Sequence, residues 1–67
     1  MEPLDTQLRN AHTLKEWCDA LGQPVPGLEA RAALYTTYRL GPISTYTGTA
    51  EQNNRLLVEL KRQRGLF

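Results

Sequence analysis

The chain has one cysteine and one histidine, Cys18 and His12, and these two side-chain types together can carry nucleophilic catalysis. Six positions separate them, and on a helix that spacing turns the two side chains to different faces. We therefore expect no Cys–His dyad. Cys18 falls on an apolar stripe and is predicted to be a buried, unreactive thiol. His12 is predicted to lie at the surface within reach of Glu16.

Residues 41–49, GPISTYTGT, place two glycines around polar residues ahead of a helix, as phosphate-binding loops do. A phosphate loop has four residues between its glycines and a lysine after the second, whereas this stretch has six residues and then Thr49. Glu51 and Glu59 lie two turns apart on a predicted helix, with no evident apolar pocket to raise the pKa of either carboxyl. The residue pattern therefore indicates no enzyme, no cofactor and no metal site.

The last third of the chain carries the clearest helix signal. Thr49 and Gln52 have the spacing of a capping box, in which a hydroxyl and an amide satisfy open backbone donors at a helix start. Gly65 follows three cations and fits a C-terminal stop. These signals predict a helix over residues 50–64.

Charges on this helix recur at intrahelical spacings. Glu51 precedes Arg55 by four residues, Arg55 precedes Glu59 by four, and Glu59 precedes Arg62 by three, so we expect them to pair along the helix. Two later cations are left without predicted partners beside an apolar stripe, where they would rim an interface. An adjacent aromatic–arginine pair is typical of binding hot spots, although the aromatic residues of this chain would also serve to close its own core. The predicted partner-binding residues are Tyr38, Arg39, Leu57, Leu60, Lys61 and Arg64.

The first third of the chain has apolar residues at heptad spacing, which predicts an amphipathic helix over residues 4–21. A second capping-box pattern, Thr13 with Glu16, would instead divide this segment into two short helices near His12. We favour one helix because the stripe stays in phase across the suspected break and because short helices are marginal alone.

The middle of the chain is less clearly patterned. Residues 23–27, QPVPG, predict a turn, and the following residues predict a helix over 28–40 that stops before Gly41 and a proline. Tyrosines and threonines in the second half of this helix prefer strands, so a β-hairpin over residues 35–47 is the alternative. The predicted fold is mainly α, a small three-helix domain spanning residues 1–67.

The small size of the domain limits the stability that it can reach as a monomer. A domain of 67 residues has a thin core, and a single cysteine allows no internal disulfide. We therefore expect a homodimer, formed through the heptad-like stripe of residues 4–21. The lack of a disulfide framework and of a basic, apolar leader favours a cytoplasmic location, and no apolar run is long enough to cross a membrane.

Charge is unevenly distributed along the chain. Residues 1–30 carry a net charge of −3 and residues 31–67 carry +4, although the whole chain is only +1. A chain polarised in this way is suited to pairing with itself or to presenting its basic half to an acidic partner.

One resemblance to a known family involves residues 49–65, TAEQNNRLLVELKRQRG. This segment resembles the opening helix of small phage-type helix-turn-helix regulators, in which a QN-x-RLL-x-x-L stretch precedes the turn and the recognition helix. The resemblance implies a regulator encoded by a phage or another mobile element. It assigns no base-contacting residue to this chain.

Two functions follow from these patterns. The first is a non-catalytic interaction protein or small regulator that binds a protein partner through a helical face rimmed by charge. The alternative is a DNA-binding transcription regulator that uses the basic C-terminal half.

Overall fold

The computed structural model describes residues 3–67, which form four α-helices and one 3₁₀ turn. The elements are α1 (Leu4–Arg9), α2 (Leu14–Leu21), α3 (Leu28–Thr37), the 3₁₀ turn (Ile43–Thr45) and α4 (Ala50–Gln63). Residues 3–67 contain no strand, so the predicted mainly helical fold is confirmed and the β-hairpin over residues 35–47 is wrong.

The prediction of one continuous helix over residues 4–21 is also wrong. Helix α1 ends at Arg9, and α2 begins after Thr13, whose hydroxyl accepts a hydrogen bond from the backbone N–H of Glu16 at 3.1 Å. The Glu16 carboxylate in turn accepts the backbone N–H of His12 at 2.9 Å. These bonds satisfy two donors at the start of α2, so the local cap stabilises the break that the sequence offered as an alternative.

The apolar stripe survives this break as a buried surface. Ala11, which lies between the two helices, is buried together with Leu14 and Cys18. Helix α2 then ends at Gly22, whose φ of 69° is in the left-handed region that glycine adopts without strain. Most of the stripe therefore packs inside the chain's own core, although Leu4 at its start is 40% exposed. It no longer offers the continuous apolar surface on which a homodimer was expected.

Helix α3 ends at Thr37, before the predicted boundary at residue 40. The backbone turns back through Arg39, whose φ of 58° is left-handed, and the N–H of Leu40 donates to the carbonyl of Tyr35 at 2.9 Å. This hydrogen bond is the mark of a Schellman stop, with arginine in the position usually taken by glycine. The stop sets the direction of the chain toward the 3₁₀ turn.

Helix α4 begins as its sequence predicts. Thr49 and Gln52 form both hydrogen bonds of the capping box. The amide oxygen of Gln52 also accepts the backbone N–H groups of Thr47 and Gly48 at 2.9 and 3.1 Å, which fixes the preceding loop on the helix start. The helix ends at Gln63, one residue before the predicted end, and Gly65 follows with a φ of 74°.

The core lies between α4 and the other three helices. Helix α1 packs on α2, and α4 packs against both α2 and α3. All four helices contribute to the buried apolar set, as do the α1–α2 connection, the loop before α4 and the residues after α4. The set is Leu8, Ala11, Leu14, Trp17, Cys18, Ala32, Tyr35, Tyr46, Leu56, Leu57 and Leu66. Because α4 is in contact with two other helices on its inner side, its orientation is fixed and its outer side faces solvent.

Candidate interaction surface

Lys61 holds the end of α1 rather than rimming an open surface. Its ammonium donates to the backbone carbonyls of Arg9 at 2.8 Å and Ala11 at 2.7 Å. The carbonyls at the end of a helix have no N–H donors from a following turn, and a cation there also interacts favourably with the helix dipole. The prediction that Lys61 lacks a partner is therefore wrong.

Two further contacts tie α1 to the end of α4. The guanidinium of Arg64 lies 3.6 Å from the carboxylate of Asp5, so the prediction that Arg64 is unpaired is also wrong. Arg9 donates through Nε to the carbonyl of Leu66 at 3.4 Å, and the Leu66 side chain is buried. More than 50 residues of sequence separate the partners in each contact, which is why local spacing did not reveal them.

The other predicted partner-binding residues occupy two different environments. Leu57 is buried in the core, and Leu60 is half-buried against it. Tyr38 is half-buried and Arg39 is exposed, both at the end of α3. The six predicted residues thus do not line one open surface, and four of them stabilise the contact of α4 with the rest of the chain.

Aromatic and polar side chains join the start of α4 to α3. The rings of Tyr35 and Tyr46 pack with centroids 5.2 Å apart, and the Tyr46 hydroxyl donates to the side-chain oxygen of Asn53. Arg31 donates to the same oxygen at 3.3 Å, while its Nε is buried without a partner. The Tyr46 ring is thus buried in the core while its hydroxyl bonds a polar side chain of α4.

Cys18 and His12 do not form a catalytic pair. Cys18 is buried. Its burial, and secondly the negative charge of the nearby Asp19 carboxylate, raise the pKa of the thiol, which keeps the thiol in its less nucleophilic protonated form. His12 is exposed. Cys18 borders a small cavity of about 130 Å³ between α2, α3 and α4, lined mainly by apolar core side chains.

An open concavity lies on the outer side of α4. It is a groove of about 570 Å³ with an apolar floor made by Leu40 and Val58. Val58 is 44% exposed although it is a branched apolar residue in the middle of a helix. We call this concavity the α4 groove; its lining residues are Leu40, Glu51, Asn54, Arg55, Val58, Glu59 and Arg62.

Four charged side chains in the α4 groove form two ion pairs along the helix. Arg55 lies 3.2 Å from Glu51, and Arg62 lies 3.5 Å from Glu59, as their spacings predict. The third predicted pair, between Arg55 and Glu59, does not form within residues 3–67. The charges therefore alternate in sign along one side of the helix. The side chains of Glu51, Arg55 and Arg62 are more than half exposed, whereas that of Glu59 is 14% exposed.

Sequence reasoning missed the residue at the centre of this surface. Val58 is out of phase with the buried leucines of α4, since it follows Glu51 by two full turns and so lies on the charged face. The sequence did carry a signal for this surface: Val58 is an apolar residue at helical spacing from charged residues and not from the core leucines. An apolar floor inside a charged rim has the anatomy of a protein interface.

Comparison with known proteins adds no family. The chain matches no protein-family model, and no curated protein or solved structure matches it.

Within residues 3–67, no three metal-ligating side chains cluster together. In the same residues, no helix has both the length and the apolar character needed to cross a bilayer.

Proposed function

We propose that this chain is a non-catalytic interaction protein, a small regulator that binds a protein partner through the outer face of α4. The observation that carries the proposal is the α4 groove, where an exposed valine lies at the centre of two ion pairs on a helix fixed from behind by the core. Interfaces place their apolar contacts centrally and their charges at the rim. The partner, in this proposal, contributes an apolar side chain to the groove and charges of opposite sign around it.

The DNA-binding alternative draws less support from the same residues. Of the six bases in residues 31–67, Arg55, Arg62 and Arg64 each have a carboxylate partner. Lys61 is bound to two carbonyls. Duplex binding relies on cations that are free to neutralise phosphates, and here most of them would first have to leave an internal partner.

The test compares two valines that differ only in where they lie. Val58 is 44% exposed in the α4 groove, and Val25 is 42% exposed in the loop between α2 and α3. We would substitute each with lysine and use tagged wild-type, Val58→Lys and Val25→Lys chains for affinity capture from a host lysate. Circular dichroism of each purified variant first shows whether it remains folded.

The proposal predicts a specific protein that is captured by wild type and Val25→Lys, is lost with Val58→Lys, and is retained after nuclease treatment. Capture that is equal for both variants would show that the α4 groove is not the binding surface. Capture that disappears with nuclease, or that falls by about one power of salt per phosphate contact, would support the DNA-binding alternative instead.

A further inference from the structure

The four charges of the α4 groove read in order as negative, positive, negative, positive: Glu51, Arg55, Glu59, Arg62. Reversed, the same series reads positive, negative, positive, negative. Two copies of α4 packed antiparallel would therefore place an opposite charge against every one of these four positions. Two copies packed parallel and in register would place like charges together.

We infer that the α4 groove binds a second copy of this chain, with the two α4 helices antiparallel about a twofold axis. This inference rests on the proposed function, because it names the occupant of the surface assigned there. Glu51 of one copy lies opposite Arg62 of the other, and Arg55 lies opposite Glu59, each pair occurring twice by symmetry. The contact is isologous, so it closes as a dimer.

Helix geometry brings these pairs together in a single arrangement. Glu51, Val58 and Arg62 follow one another at seven and four residues, so they lie along one line of the helix surface. Pairing Glu51 with Arg62 and Arg55 with Glu59 places the twofold axis near position 57. The two copies of Val58 then lie about 3 to 5 Å apart along the helix axis, close enough to pack at the centre.

The exposure of the end residues makes them available for such pairs. The side chains of Glu51 and Arg62 are 79% and 66% exposed, and their internal partners lie along the same helix at 3.2 and 3.5 Å. A charge from the second copy extends each internal pair without breaking it. Helix α4 has 14 residues, about 21 Å of length, so the interface is small and the expected dimer is a weak one.

Charge reversal at one end of the helix tests the arrangement. We would prepare Arg62→Glu and Glu51→Arg as separate variants, since both positions are exposed and neither side chain lies in the core. Each variant alone places two pairs of like charges across the twofold axis. Mixed in equal amounts, the two variants form a heterodimer in which both end pairs are again opposite in sign.

Analytical ultracentrifugation measures the outcome at moderate salt, with circular dichroism to confirm that each variant is folded. The inference predicts a wild-type dimer, a dissociation constant raised at least about tenfold for each variant alone, and recovery to within about threefold in the mixture. A mixture that stays as weakly associated as its components would overturn the antiparallel pairing. A wild type that is monomeric at millimolar concentration would overturn self-association altogether.

The outcomes of this experiment can be distinguished from those of the capture experiment. If the wild type is monomeric while a lysate protein is still lost with Val58→Lys and kept with Val25→Lys, the α4 groove binds a different protein. If the mixed variants form the predicted heterodimer and no such protein is captured, the α4 groove is the interface between two copies of this chain.

Discussion

Replacing Lys61 with methionine should destabilise the fold, although a lysine near the end of a helix is usually expendable. The Lys61 ammonium donates to the carbonyls of Arg9 and Ala11 at 2.8 and 2.7 Å, and methionine keeps the aliphatic stem while removing both hydrogen bonds. The two carbonyls belong to the chain segment that joins α1 to α2. Without the Lys61 ammonium these carbonyls lose their hydrogen-bond donor. Helix α1, which has only six residues, then separates more easily from the rest of the chain.

The size of the effect follows from the number and charge of these bonds. A hydrogen bond from a charged donor contributes about 1.5–3 kcal/mol when it is shielded from water. Because this pair is only partly shielded, we expect the free energy of unfolding to fall by about 2 kcal/mol in total. A domain of this size has about 3–5 kcal/mol to lose, so the thermal midpoint should fall by about 10 °C.

Thermal unfolding followed by circular dichroism measures this change at low protein concentration, where self-association is negligible. Lys15→Met is the matched control, because the Lys15 side chain is 76% exposed and its ion pair is with Asp19 on its own helix, at 2.9 Å. It should leave the midpoint almost unchanged. Equal midpoints for Lys61→Met and Lys15→Met would refute the role assigned to Lys61 as the residue that holds α1.

Three further substitutions test other parts of the fold. Arg39→Gly should raise the free energy of unfolding by about 0.5–1 kcal/mol, because arginine is held there at a φ of 58°; an unchanged urea midpoint would contradict this. Gly48→Ala should lower the free energy of unfolding by about 1–2 kcal/mol, because its φ is +79° and a Cβ would lie 3.0 Å from Leu28. An unchanged urea midpoint would count against this strain. Burial raises the pKa of the Cys18 thiol above its ordinary 9.0, so the folded state keeps the thiol protonated to a higher pH than the unfolded state does. The thiol's contribution to stability is therefore present below pH 9 and is lost as pH rises through the folded pKa. The stability difference between wild type and Cys18→Ala should therefore shrink in urea titrations above that pH, and a constant difference would contradict it.

The features that sequence predicted well depend on neighbouring residues. The α4 start follows from Thr49 and Gln52, which are three residues apart and form both capping bonds as expected. The ion pairs of Arg55 with Glu51 and of Arg62 with Glu59 likewise require only the geometry of one helix turn. Such contacts are fixed by the chain segment in which they occur.

The break between α1 and α2 shows how two local signals compete. The apolar stripe favoured a continuous helix, whereas Thr13 and Glu16 favoured a new start, and both signals were present in the sequence. The structure satisfies both, because Ala11 is buried in the break and keeps the stripe in phase without helical backbone. Besides the local cap, Lys61 stabilises the break, because it donates to two carbonyls there from the other end of the chain.

The role of each α4 residue depended on which side of the helix faces the core. The sequence showed leucines and cations near one another, and without the partners of Lys61 and Arg64 these cations resembled an interface rim. Their partners lie in or beside α1, at least 50 residues away along the chain, so only the tertiary structure assigns them. Once they are placed, the remaining accessible apolar residue at the centre of α4 is Val58.

The most direct test of the α4 groove as a docking surface is a dilution series of the wild-type chain, followed by amide chemical shifts in nuclear magnetic resonance. We predict concentration-dependent shifts confined to Leu40 and to the outward positions of α4 from Glu51 to Arg62, with the outer face of α2, around Lys15, unchanged. Shifts centred on α1 or α2 would contradict the assignment of the interface to α4. A spectrum that does not change up to millimolar concentration would contradict pairing between copies of this chain.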